Sequence, residues 1–177
     1  MYWSWDLDYV ANADNGKGRW ELLKWIPEEY KNSLEGMEHG TIVIWSELDQ
    51  LIPVGTEREN ERAKIKFYET WNNVRNHVAM IFHRFIAGGL HIYWESHEIE
   101  GWDPFFGYEE KTQPKADESF FINDKKMTMK GYILPKRKDF SSEEEYEKAE
   151  GSKGYAGHQG FYVYRGNRLL VAGDWLG

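Results

Sequence analysis

Two apolar runs, Phe161-Tyr162-Val163-Tyr164 and Leu169-Leu170-Val171-Ala172, flank Arg165-Gly166-Asn167-Arg168 near the end of this chain. A two-residue connection with Gly in the first position marks a type II′ hairpin, because that position takes a φ above zero. The pattern predicts strand, tight turn and strand, with Arg165 and Arg168 opposite each other on one face. Two guanidiniums so placed repel unless a carboxylate or phosphate lies between them. Asp174 and the glutamates between 143 and 147 are the internal candidates, and a contact with an absent domain or its nucleotide is the functional alternative. The second strand runs close to the terminus, which reads as a piece cut from something longer.

The remaining periodicity describes an α+β chain. Tyr2–Val10 alternates Trp3, Trp5, Leu7 and Tyr9 against Ser4, Asp6 and Asp8, the period of a half-buried strand. Arg19–Ile26 reads as a strand pairing back on it. Pro27 then opens a short helix over 28–34. Gly40-Thr41-Ile42-Val43-Ile44-Trp45 is β-branched and apolar throughout, which predicts a strand covered on both faces. Ser46 with Asp49 starts a short helical turn. Between Glu57 and Ile86, apolar residues recur at spacings of three and four, predicting one long helix with Ile65, Trp71, Val78, Ile81, Phe82 and Phe85 buried. Gly88-Gly89 ends it, and Leu90–Glu95 returns as a strand to complete a crossover unit. Trp102-Asp103-Pro104-Phe105-Phe106 is an aromatic anchor, and 107–118 a mobile polar loop. Ser119–Ile122 and Met127–Leu134 flank a four-residue hairpin connection. Ser141 with Glu144 forms a capping box for a helix to about Ala149. Residues 151–160 are a glycine-rich, flexible lead-in to the closing hairpin.

Composition narrows the function classes. The chain has 177 residues, enough for one sizeable core, and its formal net charge is −8. That balance argues against duplex nucleic acid as its main ligand. Lys125, Lys126, Lys130, Lys136, Arg137 and Lys138 form a local basic stretch, offset by Glu143, Glu144, Glu145 and Glu147, and it reads as a solvated face. There is no Cys, so neither disulfides nor thiolate metal sites arise, which fits a cytoplasmic location. No apolar run is long enough to span a membrane, and no signal peptide opens the chain. Aromatics reach 16% of residues, so either they pack a core or some form a flat surface for sugars, bases or a partner domain.

Catalytic patterns are sparse. His77 and His83 stand six apart on the long helix, on opposite faces, too far round for one ion. His91 and His97, with Glu95 and Glu98, allow a metal reading that a polar strand end explains equally well. No G-x-S-x-G elbow, phosphate-binding P-loop or dinucleotide fingerprint occurs. No catalytic, cofactor-binding or metal-binding residue is assigned; Arg165, Asn167 and Arg168 are the candidate interdomain or structural hairpin.

Several segments in order resemble one family. Trp5-Asp6-Leu7-Asp8-Tyr9-Val10 is similar to the strand that closes the nucleotide-binding domain of bacterial MORC-like proteins, members of the GHKL superfamily of ATPases. Gly40–Trp45 with Leu48-Asp49 resembles that family's GT-x-V-x-W-x-x-LD segment, Phe82-His83-Arg84-Phe85 a helix-end motif, and Trp102-Asp103-Pro104-Phe105 the turn after the next strand. Gly160–Gly177 resembles its second-domain hairpin. The resemblance implies that residues 1–26 are strands ending the ATPase domain, and that 27–177 are a transducer domain truncated at its C-terminus. The implied fold resembles domain 2 of ribosomal protein S-five: a mixed β-sheet with one long helix and short helices packed on it, its crossover left-handed against the usual rule. The family's N-box helix, its D-x-G-x-G turn, its glycine-rich lid and its γ-phosphate lysine have no counterpart among these residues, and Lys115 precedes the hairpin and takes no such role. The resemblance therefore implies a transducer that relays nucleotide state, with no cofactor of its own. ATP and magnesium belong to the intact parent, whose partners are the absent N-terminal ATPase domain and a second copy in a homodimer. A stand-alone aromatic module for carbohydrate or nucleic-acid bases is the alternative, and an exposed coplanar row of Trp3, Trp5, Trp94 and Trp102 is its mark.

Overall fold

In the computed structural model, residues 1–12, 21–48, 57–151 and 154–176 are described, and they fall into two compact units, Met1–Gln50 and Leu51–Gly177. The architecture is mixed α+β, with small antiparallel sheets and a few helices.

In the first unit the expected N-terminal strand is largely replaced by a helix, α1 (Leu7–Asn12). The Asp6 side chain accepts the Tyr9 amide at 3.0 Å, and its carbonyl accepts the Val10 amide at 3.1 Å. That is N-cap chemistry, and it overrides the alternation of Trp3, Trp5, Leu7 and Tyr9, which all stay exposed. The predicted pairing with 19–26 survives as a single antiparallel bridge between Ser4 and Leu23, Arg19 lying outside the described residues. Pro27 precedes a 3-10 turn, Glu28–Tyr30, rather than a full helix. The Gly40–Trp45 run is not a strand: it has no regular structure, and Val43 is 71% exposed. β-branched residues favour a strand only where a neighbour pairs with them, and no strand does so among the described residues. The turn expected at Ser46 reaches Asp49, which is not described.

The second unit begins with α2 (Glu57–Ile81), and after a break at Phe82 the chain resumes as α3 (His83–Ala87). The expected single helix is thus jointed. Burial on it also differs from expectation: Ala79 and His83 are buried, whereas Ile65 and Phe85 are exposed. Packing against α2 is concentrated on its C-terminal turns, so an apolar periodicity along the whole helix overstates the covered face. The end is a Schellman turn, with the Leu90 amide on the Phe85 carbonyl, the Gly89 amide on that of Ile86, and Gly89 at φ +98.

Among the described residues, four two-stranded antiparallel sheets follow in place of one mixed sheet. β1 (Tyr93–Trp94) pairs with β2 (His97–Glu98), so Leu90–Glu95 returns into a hairpin and not a crossover. β3 (Gln113–Pro114) pairs with β6 (Tyr132–Ile133), and between them β4 (Glu118–Ile122) pairs with β5 (Lys125–Met129). The β4–β5 connection is the two residues Asn123-Asp124, at φ +48 and +61, not four; both positions are left-handed, as a type I′ turn needs. The last sheet joins β7 (Phe161–Arg165) to β8 (Arg168–Asp174) with Arg165 opposite Arg168. Gly166 sits at φ +60 while Asn167 keeps an ordinary φ, the type II′ pattern.

The buried centre gathers Phe106, which is 1% exposed, Phe140 and Ala149, with Trp102, Leu134, Tyr146 and Tyr155 around them. The polar stretch at 107–118 is anchored to this centre. Its Glu109 is buried and accepts both the Ser141 amide at 3.1 Å and the Ser141 hydroxyl at 2.6 Å. The Thr112 hydroxyl donates to the Phe106 carbonyl at 2.8 Å. Because Ser141 is engaged there, the cap of α4 (Glu143–Glu150) moves one residue on, with the Glu145 amide donating to Ser142 Oγ at 3.1 Å. The lead-in to the last hairpin carries a 3-10 turn, Tyr155–His158. Replacing Phe106 with Ala should cost about 3–5 kcal/mol, the usual range for a large buried aromatic. Ile65→Ala, on the exposed side of α2, should stay within roughly 0.5 kcal/mol. Denaturant melts of the two variants check the contrast.

Candidate functional site

Three of the motifs singled out in the sequence meet at the helix joint. Phe82 breaks the helix with φ −103 and ψ 9, and so turns the His83 ring towards the closing hairpin. There His83 Nε2 lies 2.8 Å from the Tyr164 hydroxyl. On the other side of the imidazole, Nδ1 is 3.9 Å from Asp103 Oδ1, in the Trp102–Phe105 turn. A proton on Nδ1 faces that carboxylate and leaves Nε2 to accept from the phenol. Asp103 is itself fixed by the Phe105 and Gly107 amides, each donating to it at 3.0 Å. The approach is close enough that a Cβ on Gly101 would stand 3.3 Å from the His83 Cα, so a small residue is needed there.

Aromatic and cationic contacts complete the cluster. The Arg84 guanidinium carbon stands 3.6 Å over the Tyr164 ring, and Phe105 stacks on Tyr132 at 4.4 Å and meets Tyr162 edge-on at 5.1 Å. Burial pushes the Tyr164 phenol up to about 12, with Arg84 pulling the other way. Burial also holds His83 below its ordinary imidazole value, opposed by the Asp103 carboxylate and reinforced by Arg84. Both groups therefore stay neutral near pH 7, and the cluster acts as a polar join more than as an acid–base pair.

The predicted hairpin residues lie at the open end of this cluster. Asn167 is in the turn and exposed. Arg168 reaches over the Phe82 ring, its guanidinium carbon 6.0 Å from the centroid. The carboxylate expected between Arg165 and Arg168 is not found: neither has an ion-pair partner among the described residues, and Asp174 instead accepts the Leu176 amide at 2.6 Å. His83 and Tyr164, which hold the joint, carried no assigned role in the sequence. The motif Phe82-His83-Arg84-Phe85 was the one available signal.

A second feature lies along α2. Tyr68, Trp71, Arg75, Trp94, Glu95, His97 and Glu98 line an open cleft of about 280 Å³. Trp71 and Trp94 are stacked, their centroids 3.4 Å apart. Glu95 holds φ +52 in the β1–β2 turn, a strained position for a side chain of its size. His91 Nδ1 pairs with Glu98 at 2.5 Å, and among the described residues no three His, Asp or Glu are grouped to hold a metal. The tryptophans split between the units: Trp3 and Trp5 are exposed in the first, while Trp94 and Trp102 are half-buried in the second, Trp102 packing edge-on against Phe106.

Among the described residues no helix is long and apolar enough to cross a membrane. No protein-family model matches the chain, and neither curated proteins nor solved structures show significant similarity to it.

The His83 join carries a pH dependence whose sign follows from its lowered value. Between that value and about 6.5 the unfolded chain binds more protons than the folded one, so stability rises with pH. Stability is full above about 6.5 and is lost as pH falls through the lowered folded value. Unfolding free energies measured across this range should show the loss in the wild type and a flatter profile in His83→Gln.

Proposed function

We propose that this chain is the transducer portion of a cytoplasmic bacterial GHKL-type ATPase related to the MORC proteins, and that it relays nucleotide state without binding nucleotide itself. The observation that carries the reading is the convergence at the helix joint. Three segments that resemble that family's motifs, Phe82–Phe85, Trp102–Phe105 and Gly160–Gly177, are far apart in sequence and share one cluster built on the His83–Tyr164 contact. A relay needs such a join, because a displacement at one end must be felt at the other. Arg165 and Arg168 supply its outer end: two adjacent guanidiniums with no carboxylate between them suit the phosphates or acidic groups of an ATPase domain. ATP and magnesium are assigned to that domain, together with nucleotide-driven dimerisation, and the S-five-like transducer fold is the arrangement these segments would complete there.

The cleft beside Trp71 and Trp94 favours a second reading, a saccharide-binding module. An aromatic wall rimmed by Arg75, Glu95, His97 and Glu98 offers stacking and planar polar groups together. A panel of simple sugars that leaves the tryptophan fluorescence unchanged removes it.

For the first reading, calorimetric titration of the 177-residue chain with ATP and magnesium should show no binding. In the ATPase-containing protein, Arg168→Ala should abolish ATP-dependent dimerisation, while the same change leaves the melting of the isolated chain unaltered. A micromolar ATP site on the isolated chain, or an ATP response indifferent to Arg168→Ala, contradicts the proposal.

A further inference from the structure

The arm formed by β4 and β5 is rooted firmly and covered by nothing among the described residues. At its root, β3 pairs with β6 and the Lys115 amide donates to the Gly131 carbonyl at 2.8 Å. Phe105 stacks on Tyr132 at 4.4 Å, and Lys130 pairs with Asp117 at 3.4 Å. Beyond that point the two strands pair, among the described residues, only with each other. A two-stranded hairpin alone is marginal in water, because it has no second layer to bury its apolar side chains.

The register sorts those side chains by face. Glu118 stands opposite Met129, Phe120 opposite Met127, and Ile122 opposite Lys125. Directly opposite residues share a face, and alternate residues along a strand do too, so these six lie together. Phe120, Ile122, Met127 and Met129 are 41–51% exposed. The face therefore reads from root to tip as a carboxylate, an apolar centre rich in adaptable methionine, and an ammonium. Asp117 and Lys130 neutralise each other, but neither Glu118 nor Lys125 has an ion-pair partner among the described residues.

We propose that this face is a homodimer interface, in which the arms of two copies stack antiparallel about a two-fold axis. Phe120 and Met127 of each copy pack over the same pair in the other, and Lys125 of each reaches Glu118 of its partner. A two-fold interface must be self-complementary, and this face is so in only one direction. Antiparallel stacking brings each ammonium to the end of the partner face that carries the carboxylate, whereas parallel stacking brings the two ammoniums to one end and the two carboxylates to the other. The inference rests on the arm alone and is independent of the nucleotide reading.

Sedimentation velocity over a range of chain concentrations tests it. The wild type should show a monomer–dimer equilibrium, and Phe120→Lys should be monomeric, with a melting curve unchanged at concentrations where the wild type is monomeric, since the arm lies outside the buried centre. Lys125→Glu and Glu118→Lys should each weaken dimerisation by about tenfold, because each change sets like charges together at two symmetry-related places. The double variant Lys125→Glu/Glu118→Lys should recover the wild-type constant. A wild type that stays monomeric throughout overturns the proposal, as does a dimer insensitive to Phe120→Lys. A double variant as weak as the singles overturns the antiparallel arrangement and the proposal with it.

Discussion

The contact between His83 Nε2 and the Tyr164 hydroxyl, 2.8 Å long, joins parts of the chain that local structure would leave separate. It exists because the helix stops at Phe82 and restarts one residue later, which aims the imidazole at the closing hairpin. An uninterrupted helix would carry that ring round to another face. The Trp102–Phe105 turn then presses in from the far side, its Asp103 already held by two backbone amides and free only to face Nδ1. Removing the phenol would leave a buried ring nitrogen without its partner, a loss that commonly exceeds the net value of the bond itself.

The same need explains the aromatic content. Four sheets of two strands cannot bury one another through their ladders, because each is too narrow to offer a continuous apolar face. Ring contacts bridge the gaps. Trp94 stacks on Trp71 to seat the first hairpin on α2, and Phe105 stands between Tyr132 and Tyr162 to tie the root of the arm to the last hairpin. Phe140 meets Phe106, Tyr146 and Tyr155 edge-on to hold α4. Large rings reach across distances that aliphatic side chains would leave open, and edge-to-face geometry tolerates the varied angles at which small elements meet.

What was legible in the sequence was local chemistry. The Gly166-Asn167 turn, the Gly88-Gly89 helix end and the Trp102–Phe106 anchor all formed, each being decided by residues within a few positions. Period-two alternation over Tyr2–Val10 predicts a strand, but one capping aspartate, Asp6, decides for a helix instead. The capping box slipped from Ser141 to Ser142 because Ser141 is taken by Glu109, which is remote in sequence and invisible to a short motif. Gly40–Trp45 has the composition of a strand, but composition does not supply a neighbour. The candidate site was legible only at its edge: Arg165 and Arg168 announce themselves beside the turn, while His83 and Tyr164 meet across 81 positions.

The closing hairpin carries a further consequence in its register. Arg165 pairs with Arg168 and Tyr164 with Leu169, but Val163 pairs with Val171 and Phe161 with Asp174. β8 therefore holds two surplus residues relative to β7, one after Leu169 and one near Gly173, whose φ is +61. Each surplus inverts which side of the ribbon the following residues face, and the second cancels the first. Leu169 consequently shares the side of Tyr164, while Val171 and Asp174 lie on the other side with Val163 and Phe161. Loss of a single codon from this strand would leave one inversion uncancelled and turn everything beyond it inside out. Over these seven residues natural variation should consequently run through substitution, with insertions and deletions confined to the loops on either side.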